Sequence, residues 1–271
     1  MTRRLALLAA LLACTPAAAI AQQGAEPHLF LSINGGVSIG GDVWTINRQP
    51  LHVVYSTPPV YDTLMLSRRH GSAVTLGGSA AYYPSGHLGI GMDIRFTGTT
   101  NEDHCTPIFL NPDPGRDATS QMCDYLNGHS TAATVISFNL SGFYRFLPRG
   151  PVSPYATVGL GLATRDNSTV EVVSDFFDPG QGQTFERTII ADPNRQGVAA
   201  EFTGAVGVMV PLFPGYQMHL ELRDDVMPIQ VPSGPADAIT QIAPKMLRWV
   251  HRPALTVGLD IVLAQQHRRR Y

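Results

Sequence analysis

The stretch Gly89-Ile90-Gly91-Met92-Asp93-Ile94-Arg95-Phe96-Thr97 decides how this chain is built. Ile90, Met92, Ile94 and Phe96 share one parity; the glycines, Asp93, Arg95 and Thr97 share the other. A period of two belongs to an extended strand, whose successive side chains point to opposite faces, and not to a helix of 3.6 residues per turn. Charge is confined to one face, and the opposite face is wholly apolar.

Working outward, the same pattern recurs in seven further segments. Leu29, Leu31, Ile33, Val37 and Ile39 oppose Ser32, Asn34, Gly36 and Ser38, and Val74, Leu76, Ala80 and Tyr82 oppose Thr75, Gly77, Ser79 and Tyr83. Ile136, Phe138, Leu140, Tyr144 and Phe146 alternate with Ser137, Asn139, Ser141 and Arg145. Ala156, Val158, Leu160 and Leu162 alternate with Thr157, Gly159, Gly161 and Ala163. Phe202, Val206, Val208 and Val210 face away from Glu201, Thr203, Ala205 and Gly207. Met218, Leu220 and Leu222 face away from Gln217, His219, Glu221 and Arg223, and Leu255, Val257, Leu259, Ile261 and Leu263 from Thr256, Gly258 and Asp260. Each run has the length of a membrane-crossing strand, about 9–11 residues.

The connections alternate long and short. Gly40–Gly71, Thr99–Ser130, Asp166–Gln196 and Met227–Pro253 are long; Ser85–His87, Leu147–Pro154 and Phe213–Gly215 are short and carry Pro and Gly. Short turns at one end and long loops at the other are the habit of outer-membrane barrels, and an even strand number puts both termini on the periplasmic side. A soluble sandwich also alternates, but it requires no such loop rhythm, and a face of Gly, Ser and charge is too polar for its core. Aromatic residues gather at the short-turn ends (Tyr82, Tyr144, Phe146, Tyr216), as an interfacial girdle would. The expected fold is all-β: an eight-stranded antiparallel up-and-down transmembrane β-barrel.

The N-terminus sets the compartment. Arg3 and Arg4 precede an apolar run from Leu5 to Ala13 and then Ala19-Ile20-Ala21, the n-region, h-region and cleavage site of a secretory signal. Residues 1–21 read as the signal peptide and 22–271 as the barrel domain, beginning at Gln22. A lipoprotein reading with an acylated Cys14 requires a short leader; otherwise Cys14 is an apolar leader residue. Beyond the leader there is no apolar run of about 18 residues for a membrane helix. Cys105 and Cys123 are then an even pair in an oxidising compartment and are expected to form a disulfide, closing a loop of about 17 residues worth about 3 kcal/mol of unfolded-state entropy.

These segments, with the leader, the loop rhythm and runs such as Tyr155-Ala156-Thr157-Val158-Gly159-Leu160-Gly161, resemble the small outer-membrane barrels of the OmpA, OmpX and OmpW type. The last strand, Thr256-x-Gly258-x-x-Ile261-x-Leu263, resembles the signal that barrel-assembly machinery reads in that group. It departs by ending on Leu263 instead of an aromatic residue, with a basic tail to Tyr271 that carries Arg268–Arg270.

Chemistry is expected at three places. The inward face collects Asp93, Arg95, Arg145, Glu201, Glu221, Arg223 and Asp260, with His219 among them. Buried charges must be paired or hydrated, and eight strands leave room only for side chains, so these acids and arginines read as a plug of ion pairs. A narrow path for small or hydrophobic solutes is the alternative, of the kind the OmpW resemblance implies. His70 and Ser72 share the lipid-facing parity of Val74, the arrangement of a lipid A deacylase in which Glu102 or Asp103 would orient the histidine. Arg68 and Arg69 suit lipopolysaccharide phosphates or a solvated loop stem. The loops, with Trp44 and Trp249, are the surface for adhesion or partner contact. Within them Thr169–Val173 and Arg187–Ile190 read as a small hairpin and Pro235–Trp249 as a short helix broken at Pro244. No P-loop, dinucleotide fingerprint, zinc spacing or basic stripe is present, so no cofactor, metal or nucleic acid is implied, and the expected function is structural, surface-interaction or adhesion, without enzymatic activity.

Overall fold

A computed structural model describes residues 28–53, 60–111, 118–178 and 180–264; the leader, Cys14, Gln22 and the basic tail lie outside the described residues. Eight strands form a closed antiparallel ring: β1 (His28–Ser38), β4 (Ala73–Tyr83), β5 (Leu88–Phe109), β6 (Ser130–Arg145), β7 (Ser153–Arg165), β10 (Val198–Phe213), β11 (Tyr216–Pro232) and β12 (Lys245–Ala264). All eight expected segments are strands of this ring. Closure is made by β1 on β12, His28–Ser38 against Ala264–Ala254, so the membrane-crossing part has no free edge, as a lipid environment demands.

Register fixes the shape. From Ile261 the pairing runs through Leu31, Ala80, Met92, Leu140, Leu160, Phe202 and Val226, and it returns to β12 at His251, ten residues from its start. A shear of ten over eight strands means a strand tilt of about 40° and an interior that side chains fill. All the residues on this path share the outward parity. Outward Ile33, Ile90 and Val158 are 76%, 67% and 71% exposed, whereas inward Asn139 and Glu201 are 0% and 1% exposed. This inversion of the soluble pattern is the apolar belt of a transmembrane barrel. Exposed Tyr82, Tyr144, Phe146, Phe213 and Tyr216 ring the end that carries the short turns, the start of β1 and the end of β12. Among the described residues no helix is long and apolar enough to cross a membrane.

Inward glycines make room for the lumen's larger side chains. At Gly161 a Cβ would overlap the Asn139 side chain and the Phe138 carbonyl. Gly161→Val is therefore expected to cost about 3 kcal/mol by overpacking. The check is the fraction of compact, unheated protein on a semi-native gel after refolding; an unchanged fraction would refute this packing.

Above the belt the wall changes strands. β1 and β4 stop at Ser38 and Ala73, and β2 (Asp42–His52) and β3 (Tyr61–His70) take their place beside the upper half of β5. Among the described residues β2 has a ladder only with β3, and the Lys245–Arg252 part of β12 only with β11, so no ladder seals the upper wall between β2 and β12. The Ile39 N–H donates to the Pro253 carbonyl at 2.9 Å and Arg248 to the Val43 carbonyl at 2.7 Å across this seam. The long loops are thus folded. A hairpin is present, but its first arm lies further along the chain than the expected Thr169–Val173, sharing only Val172 and Val173: β8 (Val172–Asp178) pairs with β9 (Gln183–Ile190). α1 (Ala118–Gly128) is tied to β5 by the Cys105–Cys123 disulfide.

The mouth of the barrel is stoppered by a second core. Val43, Trp44, Leu64, Leu66, Met122, Val170, Val172, Ile189, Ile190, Met227, Ile229 and Val231 are buried together. Residues 168–171 are inserted among the upper strands: Trp44 Nε1 donates to the Thr169 carbonyl at 2.7 Å, and Thr169 Oγ1 donates to the Gln230 carbonyl at 2.5 Å. The expected helix over Pro235–Trp249 is not formed. Met246–Trp249 instead extends β12 along the β11 edge, because the ladder satisfies its backbone groups and Pro244 has no N–H to give a helix. The fourth loop accordingly shrinks to residues 233–244.

Candidate functional site

The interior is layered. Nearest the short turns is a cavity of about 50 Å³ lined by Tyr83, Thr157, His219, Glu221 and Asp260 among others. His219 Nδ1 lies 2.7 Å from Asp260 Oδ1, and Gln217 Nε2 donates to Asp260 Oδ2 at 3.0 Å. The His219 ring lies where a Cβ would stand on Gly258, so the glycine is what admits it. Arg145 departs from expectation here, because among the described residues no carboxylate lies within ion-pair distance of it. Its Nε donates to Ser153 Oγ at 3.2 Å, and its guanidinium lies over the Phe30 and Tyr83 rings at 5.6 and 5.4 Å, a cation–π seat that replaces an ion pair.

The middle layer is a charge network across the whole bore. Arg95 bonds both Asp93, at 2.9 Å, and Asp225. Arg223 Nε donates to Asp225 Oδ1 at 2.9 Å, and its terminal nitrogens reach Asp93 and Glu221 at 3.3 and 3.7 Å. Glu201 accepts from Ser137 at 2.8 Å, Asn139 at 3.0 Å and Arg252 at 3.0 Å. Tyr155 donates to Glu221 at 2.8 Å. Six of the seven expected charges thus face the bore with partners, Asp260 through His219 and Gln217 and the other five in this layer. The layer also needs residues outside the expected set. Asp225 continues the parity of Glu221 and Arg223, and Arg252 that of Asp260 and Thr256, so alternation could have found both had the strands been read further. Asn139 stands on the inward parity, but without a charge nothing in the sequence joins it to the network.

Above this layer lies a cavity of about 180 Å³ bounded by the end of β1, His70, Thr97, Asn101, Arg165 and residues 248–252. Arg95, Glu201, Asp225 and Asn139 line neither cavity; they fill the bore between the two.

His70 and Ser72 are not brought together. β3 ends at His70, and the passage through Gly71 to β4 breaks the parity they were expected to share. His70 lines the upper cavity with Nδ1 2.9 Å from Asn101 Oδ1, while Ser72 is exposed. Asp103 serves Arg68, not His70: both its oxygens accept from Arg68 at 2.6 Å. Arg68 is buried and so is no phosphate contact, whereas Arg69 is exposed. Trp44 is likewise buried in the cap, and Trp249 is exposed. Among the described residues no cluster of potential ligands could hold a metal ion.

A closed eight-strand ring with an apolar outside and an ion-paired inside defines the class: the chain has the fold of the small outer-membrane β-barrels. Among solved structures it is similar to the outer membrane protein OprG from Pseudomonas aeruginosa, with a TM-score of 0.50 and 10% identity over 90% of this chain and 99% of that one. Neisserial surface protein A is matched at a TM-score of 0.40 and 12% identity, over 86% of this chain and 96% of that one. No protein-family model matches the sequence, and no curated protein matches it. At such identities the likeness speaks for the fold alone.

Proposed function

We propose that this protein is a plugged and capped outer-membrane barrel that acts through its surface cap, in a structural or surface-interaction role. On this reading residues 1–21 are removed, the rest forms one unit in the outer membrane with both termini in the periplasm, and the folded loops face outward. The belt meets lipid, exposed Arg69 stands near lipopolysaccharide, and the last strand is what assembly machinery reads. The observation that carries the proposal is the middle layer: every carboxylate in it has a cationic, hydroxyl or amide partner, and it separates the two cavities. Moving an ion through would mean breaking several charge-assisted bonds in a low-dielectric bore.

The test is electrical. Refolded protein in planar bilayers is expected to show a flat baseline in symmetrical salt, with no steady conductance. Long-lived, ohmic openings would sink the plug and favour the narrow-channel alternative.

A further inference from the structure

The upper cavity is strongly cationic. Three arginines, Arg165, Arg248 and Arg252, line it beside His70; the one carboxylate among its lining residues, Asp42, is exposed, as is Arg248. Two of these arginines are short of partners. Arg165 has a single side-chain hydrogen bond, to the Met227 sulfur at 3.5 Å, and no carboxylate within ion-pair distance among the described residues. Arg252 gives one terminal nitrogen to Glu201, while its buried Nε has no partner. Among the described residues Arg248 donates to the Val43 carbonyl alone, at 2.7 Å. Arg248 is exposed, but half-buried Arg165 has no carboxylate partner among the described residues and the buried Nε of Arg252 has no partner. Polar groups held away from water without partners are costly, so an anion supplying partners to these two would be stabilised in the cavity. Burial first, then the positive charge of Arg165, holds the His70 imidazole down to about 4, so it is a neutral lining group at physiological pH.

The entrance gives the ligand a second property. The cavity lies directly above the apolar belt, at the seam between β2 and β12 that no ladder seals, where Arg248 reaches across to Val43. Ile39, 69% exposed, and Trp249, 54% exposed, flank it on the outside, and the Trp249 ring rests on outward Phe202 at 5.6 Å. Tryptophan at the edge of an apolar belt is the mark of headgroup depth. At about 180 Å³ the space exceeds the ~150 Å³ cavity that admits benzene, enough for a compact polar head.

We propose that this cavity binds the anionic head, a phosphate monoester or a carboxylate, of a membrane amphiphile whose chain leaves through the β2–β12 seam and lies on the belt beside Ile39 and Trp249. The planar forks of Arg165 and Arg252 suit the paired oxygens of either head, and binding supplies the missing partner of Arg252 Nε. The inference rests on the membrane placement proposed above, which is tested separately by whether the folded protein stays dispersed without detergent.

The probe is decyl phosphate, titrated into the protein in neutral-detergent micelles, with decanoate, inorganic phosphate and decyl glucoside as comparison arms. Decyl phosphate is expected to bind and to raise the His70 titration seen by NMR, while decyl glucoside does neither. Competition by decanoate extends the site to carboxylate heads, and its absence narrows it to phosphate monoesters. Arg165→Met is expected to weaken decyl phosphate binding about 10- to 100-fold, the loss of one charge-assisted contact, with Arg165→Lys between it and the native protein. Compact mobility on unheated gels confirms folding, and if Arg165→Met does not fold, Arg248→Gln takes its place with a smaller loss. Equal binding of decyl glucoside, or undiminished affinity in folded Arg165→Met, overturns the site; inorganic phosphate binding as tightly as decyl phosphate overturns the amphiphile.

Discussion

Replacing Arg95 by methionine is expected to destabilise the barrel by about 3–5 kcal/mol, the cost of stranding buried carboxylates when their partner is removed. Arg95 is 4% exposed and joins Asp93 to Asp225, so its loss leaves the middle layer with four carboxylates, Asp93, Glu201, Glu221 and Asp225, against Arg223 and Arg252. Asp225 would keep Arg223 and the Thr203 hydroxyl, at 2.9 Å each, but Asp93 would depend on longer contacts of 3.3 Å. Adding Asp225→Asn to the same chain removes one stranded charge and is expected to restore part of the loss. The outward pair His251–Asp224 is the control: its side chains are 66% and 41% exposed, and breaking it is expected to cost under about 1 kcal/mol. Urea unfolding in lipid vesicles, followed by tryptophan fluorescence, gives all these values. Arg95→Met as mild as His251→Ala would mean that the layer does not hold the barrel together.

Arg68→Met is expected to act elsewhere, opening the cap by about 3–5 kcal/mol while the belt stays intact. Arg68 is 4% exposed and lies over the Trp44 ring at 5.6 Å. Beyond its two bonds to Asp103 it donates to the carbonyls of Ser168 at 3.1 Å and Glu171 at 2.6 Å, so one side chain ties β3 and β5 to the inserted segment that stoppers the mouth. Methionine keeps most of the volume and none of the donors. Hydrogen exchange should then quicken in β2, β3 and residues 168–176 with little change in β1, β4 and the lower half of β5, while the disulfide keeps α1 attached. Exchange quickening equally in both parts would show cap and barrel to be one cooperative unit, contrary to the separation of the apolar cap core from the ion-paired bore.

How far the sequence could be read depended on how locally each feature is encoded. The eight belt strands were legible because lipid on one side and a crowded bore on the other impose strict alternation on every residue from Ile90 to Phe96 and its equivalents. β2 was not legible: Val43 and Trp44 are adjacent and both buried, and its pairing with β3 slips between Asp42 and Trp44 and again between Ile46 and Gln49, so no clean period survives. Pro235–Trp249 looked helical because the β11 edge that makes Met246–Trp249 a strand is supplied from elsewhere in the chain. Asp93 and Arg95 share a parity and meet in the bore, whereas Arg145 is grouped with them by parity alone. It lies close to the short turns, where the Phe30 and Tyr83 rings reach it and the carboxylates do not.

By itself, then, the sequence determined the strand number, the outward face of each strand, the polarity of the bore and the cysteine pair. These follow from backbone geometry and from the cost of putting charge in lipid, which act on each residue independently of its distant neighbours. Tertiary structure alone decided the shear that sets which charges meet across the bore. It also decided the exchange of β1 and β4 for β2 and β3 above the belt, and the β2–β12 seam, closed by no ladder, with its arginine cluster. The reason is that strand register is a relation between segments up to the full length of the chain apart, and a shift of two residues preserves every local pattern while changing every partner.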